Sequence, residues 1–312
     1  MSFQQELELP DYYYPGATLS LRLGLDPNDD LLNVKVIRAF TPFTMSQAIV
    51  VERCGENEKD NSTSHSESSS CPLPKTFVAK IYDPKFLSHR LPQCSRPARP
   101  WSVEAECKAA AARREPSSWD PYFVTWNRPE REDLPGWEEW YFQISERRYH
   151  AEAAAYECLQ ALQGSAIPQC YGTGLLQLSG RAISPHVLFL EFLLDAEPLA
   201  LVNPKVISLS LLQPLLDAVD EFGNFGVVHT DLNPGNIIFS PGYQPTRAAI
   251  IDFGQGGVRE EEDESEWAET VEECADSIWL RKQLRRALGI DLSTSPPYNL
   301  KLVSTSGKLK NA

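Results

Sequence analysis

Residues 227–239 read VVHTDLNPGNIIF, in which two apolar runs enclose a short polar segment holding His229, Asp231, Asn233 and Asn236. Asp, Asn, Pro and Gly are turn formers, so DLNPGN taken alone also reads as a tight surface loop. Three further polar residues sit among apolar neighbours. Lys80 lies in TFVAKIY, Glu152 falls on the apolar stripe of a helical segment, and Asp252 follows the run AAII. A charge beside buried surface is tolerated when it is paired. Glu152 therefore calls for a partner, Lys80 alone also reads as a solvent lysine and DFG alone as a turn, and the elements that carry these residues decide whether one site collects them all.

Those elements can be read from periodicity. Residues 34–51, VKVIRAFTPFTMSQAIVV, predict two β-rich runs joined by a turn at Thr41-Pro42-Phe43-Thr44, and TFVAKIY at 76–82 predicts a third strand. Between them, 54–75 is polar and Ser-rich with almost nothing to bury, the composition of a flexible insertion. Residues 83–140 are rich in Pro, Trp and charge and read as a second, irregular insertion, with helical composition at 103–115. A helix is predicted over 143–163, where Tyr149, Glu152, Tyr156 and Leu159 share one face and Gly164 is a natural stop. A strand at 187–194 and a helix at 210–223 follow, the latter with apolar residues at 212, 215, 216, 219 and 222. Beyond the strand that ends in IIDFG come an acidic run with nine acidic side chains at 260–273, an amphipathic helix at 276–288 and a tail from 303 expected to be disordered.

This order resembles the protein-kinase-like superfamily, and within it the divergent kinase-like proteins common in fungi. The resemblance rests on FVAKIYDPKF, EAAAYECLQALQGSAIP, HTDLNPGN and DFG, and covers residues from about 34 to 290. Any one motif is weak, but four in the right order, on the right elements, make a strong signal. It implies an α+β, two-lobed protein-kinase-like fold: a small antiparallel β-sheet N-lobe and a mostly helical, truncated C-lobe. The corresponding division is an N-terminal extension at 1–33, an N-lobe at 34–190 with insertions at 54–75 and 83–140, a C-lobe at 191–302 and a tail at 303–312.

The resemblance also implies a chemistry. Phosphoryl transfer from ATP needs charge neutralisation and alignment more than covalent help. Lys80 corresponds to the lysine on the α- and β-phosphates and Glu152 to its ion-pair partner, with Glu157, off the stripe, as the alternative. Asp231 corresponds to the residue that orients the acceptor hydroxyl and takes its proton. Asn236 and Asp252 correspond to ligands of Mg2+, a cation that favours oxygen donors. His229 would brace the loop. Glu191, Phe192 and Leu193 would form the hinge whose backbone reads adenine.

Four departures qualify the expected activity. IRAFTPFTMSQAIV contains no glycine where a Gly-rich loop is expected, and Pro42 lacks an N–H. Thr230 and Asn233 stand where an arginine and a lysine are usual, which removes one charge facing the γ-phosphate. No A-P-E motif follows DFG, and 58 residues follow Gly254. The segment after DFG is strongly acidic. A divergent protein kinase is the first reading. A small-molecule kinase of the aminoglycoside or choline kinase type, and a pseudokinase acting as a binding module, stay open beside it. The acidic run predicts a basic acceptor.

Composition narrows the class. The chain has 312 residues, 42% of them hydrophobic, with a formal net charge of −14. That balance speaks against nucleic acid or an anionic membrane as the main partner. MSFQQELELP is polar and acidic, unlike a signal peptide, and the run VLFLEFLL is too short to span a bilayer. Seven scattered cysteines without a CxxC pair give neither a zinc site nor a disulfide framework. The expectation is an intracellular protein, cytoplasmic or nuclear.

Overall fold

Residues of period-two alternation close an antiparallel barrel. The computed structural model describes residues 12–54, 73–92, 98–113 and 128–289. The first strands are β1 (Thr18–Arg22), β2 (Leu31–Ala39), β3 (Gln47–Arg53) and β4 (Thr76–Ile81), followed after two helices by β5 (Cys170–Gln177) and β6 (His186–Leu190). The barrel order is β1-β2-β3-β4-β6-β5, and β1 pairs with both β2 and β5. Leu19, Leu21, Val34, Val36, Ile49, Val51, Phe77, Ala79, Ile81, Leu176, Val187 and Phe189 fill the interior. In β4 the alternation sends Phe77, Ala79 and Ile81 inward, which leaves Val78 and Lys80 on the opposite face.

Two strands of the barrel were not anticipated. The N-terminal extension supplies β1, so four strands, not three, precede the long helix. The segment CYGTGLLQ supplies β5, whose two glycines conceal any alternation. Gly174 is required there, because a Cβ on it would stand 2.0 Å from the backbone oxygen of Arg22 in β1. Closing the barrel thus depends on a glycine inside a strand. The strand expected at 187–194 ends at Leu190.

Helix α1 (Val103–Ala112) is capped by Ser102, and α2 (Leu134–Cys158) by Asp133, which accepts the N–H of Gly136. Helix α2 starts nine residues before the expected position 143, inside the segment read as irregular. Its extra turns bury Trp137, Trp140 and Tyr141, while Glu138 on the same side is satisfied by a bidentate pair with Arg90 at 2.9 and 2.5 Å. Charged residues on a buried face hid the helical period. Helix α1 is latched by Glu106, which accepts from Arg181, itself bidentate on Asp83 at 3.0 and 2.9 Å.

The remaining elements are β7 (Glu197–Pro198), α3 (Leu209–Glu221), β8 (Val227–Val228), β9 (Ile237–Ser240), β10 (Arg247–Ile250), β11 (Gly257–Val258), α4 (Glu264–Cys274) and α5 (Asp276–Leu288). Strands β10, β9 and β7 form one small sheet, and β11 pairs with β8 in another. A second core joins Tyr149, Tyr156 and Leu159 of α2 to Leu212, Leu216 and Val219 of α3, Ile237, Phe239, Ile250 and Phe253, and Leu280 and Leu284 of α5. The molecule is therefore a mixed α/β structure of antiparallel sheets and helices, as the α+β reading requires. The acidic run is not merely a solvated loop: its larger part is α4, closed by a capping box between Asp263 and Glu266. Residues 55–72 of the first insertion and the tail at 303–312 lie outside the described residues. Among the described residues no helix is long and apolar enough to cross a membrane, and Cys54, Cys107, Cys158, Cys170 and Cys274 are free thiols.

Candidate functional site

Lys80 projects from the outer face of β4 toward α2, and there it meets two carboxylates. Its Nζ donates to Glu152 Oε2 at 2.5 Å and to Asp252 Oδ1 at 2.7 Å. The Tyr82 hydroxyl donates to the same Glu152 oxygen at 2.7 Å. Lys80 and Glu152 are 7% and 0% exposed, whereas the Asp252 side chain keeps 40% of its surface open. Burial alone would pull the lysine down, but Asp252 and Glu152 together hold it above its ordinary value and charged. Burial pushes Glu152 up against the pull of Lys80. Lys80 keeps the Asp252 carboxyl below its ordinary value. Glu157, the alternative partner, makes no bond to Lys80.

The polar segment 229–236 is braced from several sides. His229 is fully buried and packs against Phe253, ring centroids 4.7 Å apart. Its Nδ1 accepts the N–H of Asp231 at 3.3 Å, so the proton sits on Nε2, which faces the Ile251 carbonyl at 3.0 Å. That arrangement suits a neutral ring, and burial lowers the His229 pKa accordingly. Asp276, the first residue of α5, accepts the backbone N–H groups of His229 and Thr230 at 2.5 and 3.0 Å. Thr230 and Asp252 both adopt left-handed backbone, with φ of 60° and 70°. For a β-branched residue and for a residue at a strand end this is strain, which persists only where surrounding contacts impose it.

The Asp231 carboxylate is oriented by three side-chain amides. Asn233 Nδ2 donates to Oδ1 at 3.0 Å, while Gln255 Nε2 and Asn236 Nδ2 donate to Oδ2 at 2.8 and 3.3 Å. Asn236 also gives its Nδ2 to the Asp231 carbonyl at 2.9 Å and its own carbonyl to Ile251 N–H at 3.0 Å, tying the loop to the strand end that carries Asp252. With its amide nitrogen spent, Asn236 offers its Oδ1. Asp252 Oδ2 likewise has no hydrogen bond among the described residues. These two oxygens fit a hard divalent cation that retains water ligands. Among the described residues, no group of three or more His, Cys, Asp or Glu side chains is arranged to hold a metal.

Glu191, Phe192 and Leu193 follow β6 as irregular backbone. Glu191 is committed: its N–H donates to the Gln169 carbonyl at 2.8 Å, and its carboxylate accepts from Arg247 at 2.7 Å and from Gln169 N–H at 3.0 Å. Arg247 also holds the carbonyls of Ser165 and Ile167 at 2.6 and 2.7 Å. The backbone groups of Phe192 and Leu193 have no such partners among the described residues. Of the expected trio, two residues keep free backbone groups and the third anchors the stretch.

Sequence reasoning missed Asp276, Gln255, Arg247 and Tyr82. Only Tyr82 left a signal, as the residue after KI in a strand. The others act on groups far away in the chain.

No family model and no curated protein matches the sequence. Among solved structures, the chain is similar to two double-mutant forms of the kinase domain of PknI from Mycobacterium tuberculosis. One is 15% identical with a TM-score of 0.34 over 71% of this chain and 60% of that one. The other is 14% identical with a TM-score of 0.35 over 76% and 66%. The chain thus spans less than two thirds of each of those kinase domains, and the weight of any functional reading rests on the residues described above.

Proposed function

We propose that this chain is an ATP- and Mg2+-dependent phosphotransferase, a divergent two-lobed protein-kinase-like protein with a basic acceptor. One observation carries the reading: a buried lysine on a barrel strand is held between a helix carboxylate and the aspartate that begins DFG. Few structural reasons place one cation between two carboxylates at the junction of two cores, and phosphate binding is a good one. In this reading Lys80 contacts the α- and β-phosphates, and Glu152 and Tyr82 fix its position. Asn236 and Asp252 would hold the cation through the two oxygens left free, and the metal would neutralise charge on the phosphates.

Asp231 would take the proton of the acceptor hydroxyl as its oxygen bonds to the γ-phosphorus and the bond to the bridging oxygen breaks, with the electron pair leaving on ADP. Its three amide donors fix the orientation of its two oxygens. The backbone of Phe192 and Leu193 would read adenine, with Arg247 and Glu191 as the anchor. The loop at 40–46 contributes fewer backbone donors than a glycine-rich one, which argues for modest ATP affinity.

Calorimetry with Mg-ATP, followed by ATP turnover, tests the reading. The expected result is Mg2+-dependent binding that Asp252→Ala abolishes and Asp231→Ala retains, with turnover lost in both. Absence of nucleotide binding by the folded chain would return it to the binding-module reading.

A further inference from the structure

The cleft contains a second cation that the reading above leaves idle. Arg148 lies on α2 one turn before Glu152, on the same buried stripe as Ser145, Glu152 and Ala155. A Cβ placed on Gly254 would stand 3.4 Å from Glu152 Oε2, 3.5 Å from Asp252 Oδ1 and 3.6 Å from Arg148 Cδ. Three side chains from two elements therefore converge on one glycine of DFG. Arg148 is half-buried, and both Asp252 and Asp231 act on its charge, while burial pulls its pKa below the ordinary arginine value. Among the described residues, no hydrogen bond or ion pair holds its guanidinium. Of the other half-buried and buried arginines, Arg90, Arg113, Arg181, Arg247 and Arg281 each grip a carboxylate, while Arg22 and Arg53, on the barrel and away from this cleft, do not.

Charge balance shows what the free guanidinium could do. Glu152 and Asp252 already share Lys80, and Asp231 adds a third carboxylate whose charge acts on Arg148. A triphosphate adds more negative charge to that cleft. In phosphoryl transfer the charge spreads over three equatorial oxygens, and preoriented donors aimed at them are the main protein contribution. Asn233, on the loop beside Asp231, supplies no charge. A partly desolvated guanidinium with five donors and no partner is costly unless its partner arrives with the substrate.

We propose that Arg148 is the cation that meets the γ-phosphoryl group in transit, reaching it from the helix side of the cleft. This rests on the phosphotransferase reading. In the step it serves, the acceptor oxygen bonds to the γ-phosphorus, the bridging bond breaks and the pair leaves on ADP. Arg148 donates to the equatorial oxygens throughout and neither gains nor loses a proton.

The test uses Mg-ADP, a non-hydrolysable Mg-ATP analogue, and ATP hydrolysis with water as the acceptor. Arg148→Gln should leave Mg-ADP affinity within about twofold, weaken the ATP analogue several-fold, and lower kcat roughly 100-fold or more. Arg148→Lys keeps the charge without the planar fork and should recover part of kcat. No hydrogen bond is lost in either variant, so both should melt within a few degrees of wild type. Unchanged kcat in Arg148→Gln, or equal losses for ADP and the ATP analogue, would overturn the assignment while leaving the phosphotransferase reading intact. A wild-type chain that binds neither nucleotide would overturn both.

Discussion

Asp276 and His229 stand 47 positions apart, and the carboxylate of one accepts the backbone N–H of the other at 2.5 Å. The second oxygen takes the next N–H, of Thr230, at 3.0 Å. The polar loop is thus clamped by the head of α5, and the clamp holds Thr230 in its left-handed backbone. Asp276→Ala leaves two backbone donors without partners. The expected loss is roughly 2–4 kcal/mol by urea unfolding, with ATP turnover falling more than ATP binding. Asp276→Asn keeps one acceptor oxygen and should fall between. A loss under about 1 kcal/mol with full turnover would show that the loop holds itself.

The Lys80 cluster should behave as a unit. Lys80→Met strands a fully buried Glu152, and breaking such a pair from one side costs roughly 3–5 kcal/mol. Adding Glu152→Gln removes the stranded charge and keeps an acceptor for Tyr82. The double variant Lys80→Met with Glu152→Gln should therefore be more stable than Lys80→Met alone. Additive losses in chemical denaturation would mean that the two side chains are not energetically coupled.

Asp252 gives a pH signature of defined sign. Lys80 holds its carboxyl below the ordinary range, while in the unfolded chain an aspartate titrates near about 3.9. Between the two values the unfolded chain binds more protons, so stability rises with pH there. The contribution is complete above about pH 5 and is lost as pH falls through the folded value. Wild type and Asp252→Asn should therefore diverge in denaturation midpoint above about pH 5 and converge as pH falls below the unfolded value and through the folded one. A constant gap across that range would show that Lys80 does not tune Asp252.

These predictions join residues that sequence alone reveals to residues that it hides, and the division has a physical basis. Lys80, Glu152 and Asp252 stand out because each breaks an apolar pattern, and a charge inside such a pattern announces a partner. Asp231 and Asn236 stand out because apolar runs flank them. Asp276 breaks no pattern: it is one more acid after an acidic run, and its partners are backbone groups that every residue carries. Arg247 sits among polar turn residues and acts on carbonyls of another segment. Arg148 lies between Arg147 and Tyr149, where the helical stripe is already interrupted by charge. Strand β5 was hidden by two glycines, of which Gly174 makes room for the neighbouring strand, and the first turns of α2 by a glutamate whose arginine lies 48 residues away. Pairing partners distant in sequence are what a local period cannot report.

The acidic segment offers the most direct test of the acceptor. Helix α4 is pinned by Trp267, which is 5% exposed and donates its indole N–H to the Gly223 carbonyl at 2.8 Å. Its start is fixed by Asp263 and Glu266. Glu262 accepts the Glu260 N–H and Glu264 pairs with Arg259, whereas Glu261, Glu269, Glu272 and Glu273 are exposed and have no such structural work. Strand β11, which leads into this segment, pairs with β8, which leads into the loop of Asp231. The free carboxylates therefore lie on a segment joined by one strand pair to the proposed proton acceptor. They should attract a cationic acceptor and repel an anionic one. Attraction between exposed charges is screened over a Debye length of about 8 Å at physiological ionic strength. With a Lys/Arg-rich peptide or an amine-bearing small molecule as acceptor, kcat/KM should fall steadily as salt rises. Reversing Glu261, Glu269, Glu272 and Glu273 to lysine leaves the cap and Trp267 intact, so the fold should hold while the salt dependence disappears. Efficient use of an anionic acceptor, or a kcat/KM indifferent to salt in the wild-type chain, would reduce these charges to solvation of the helix surface.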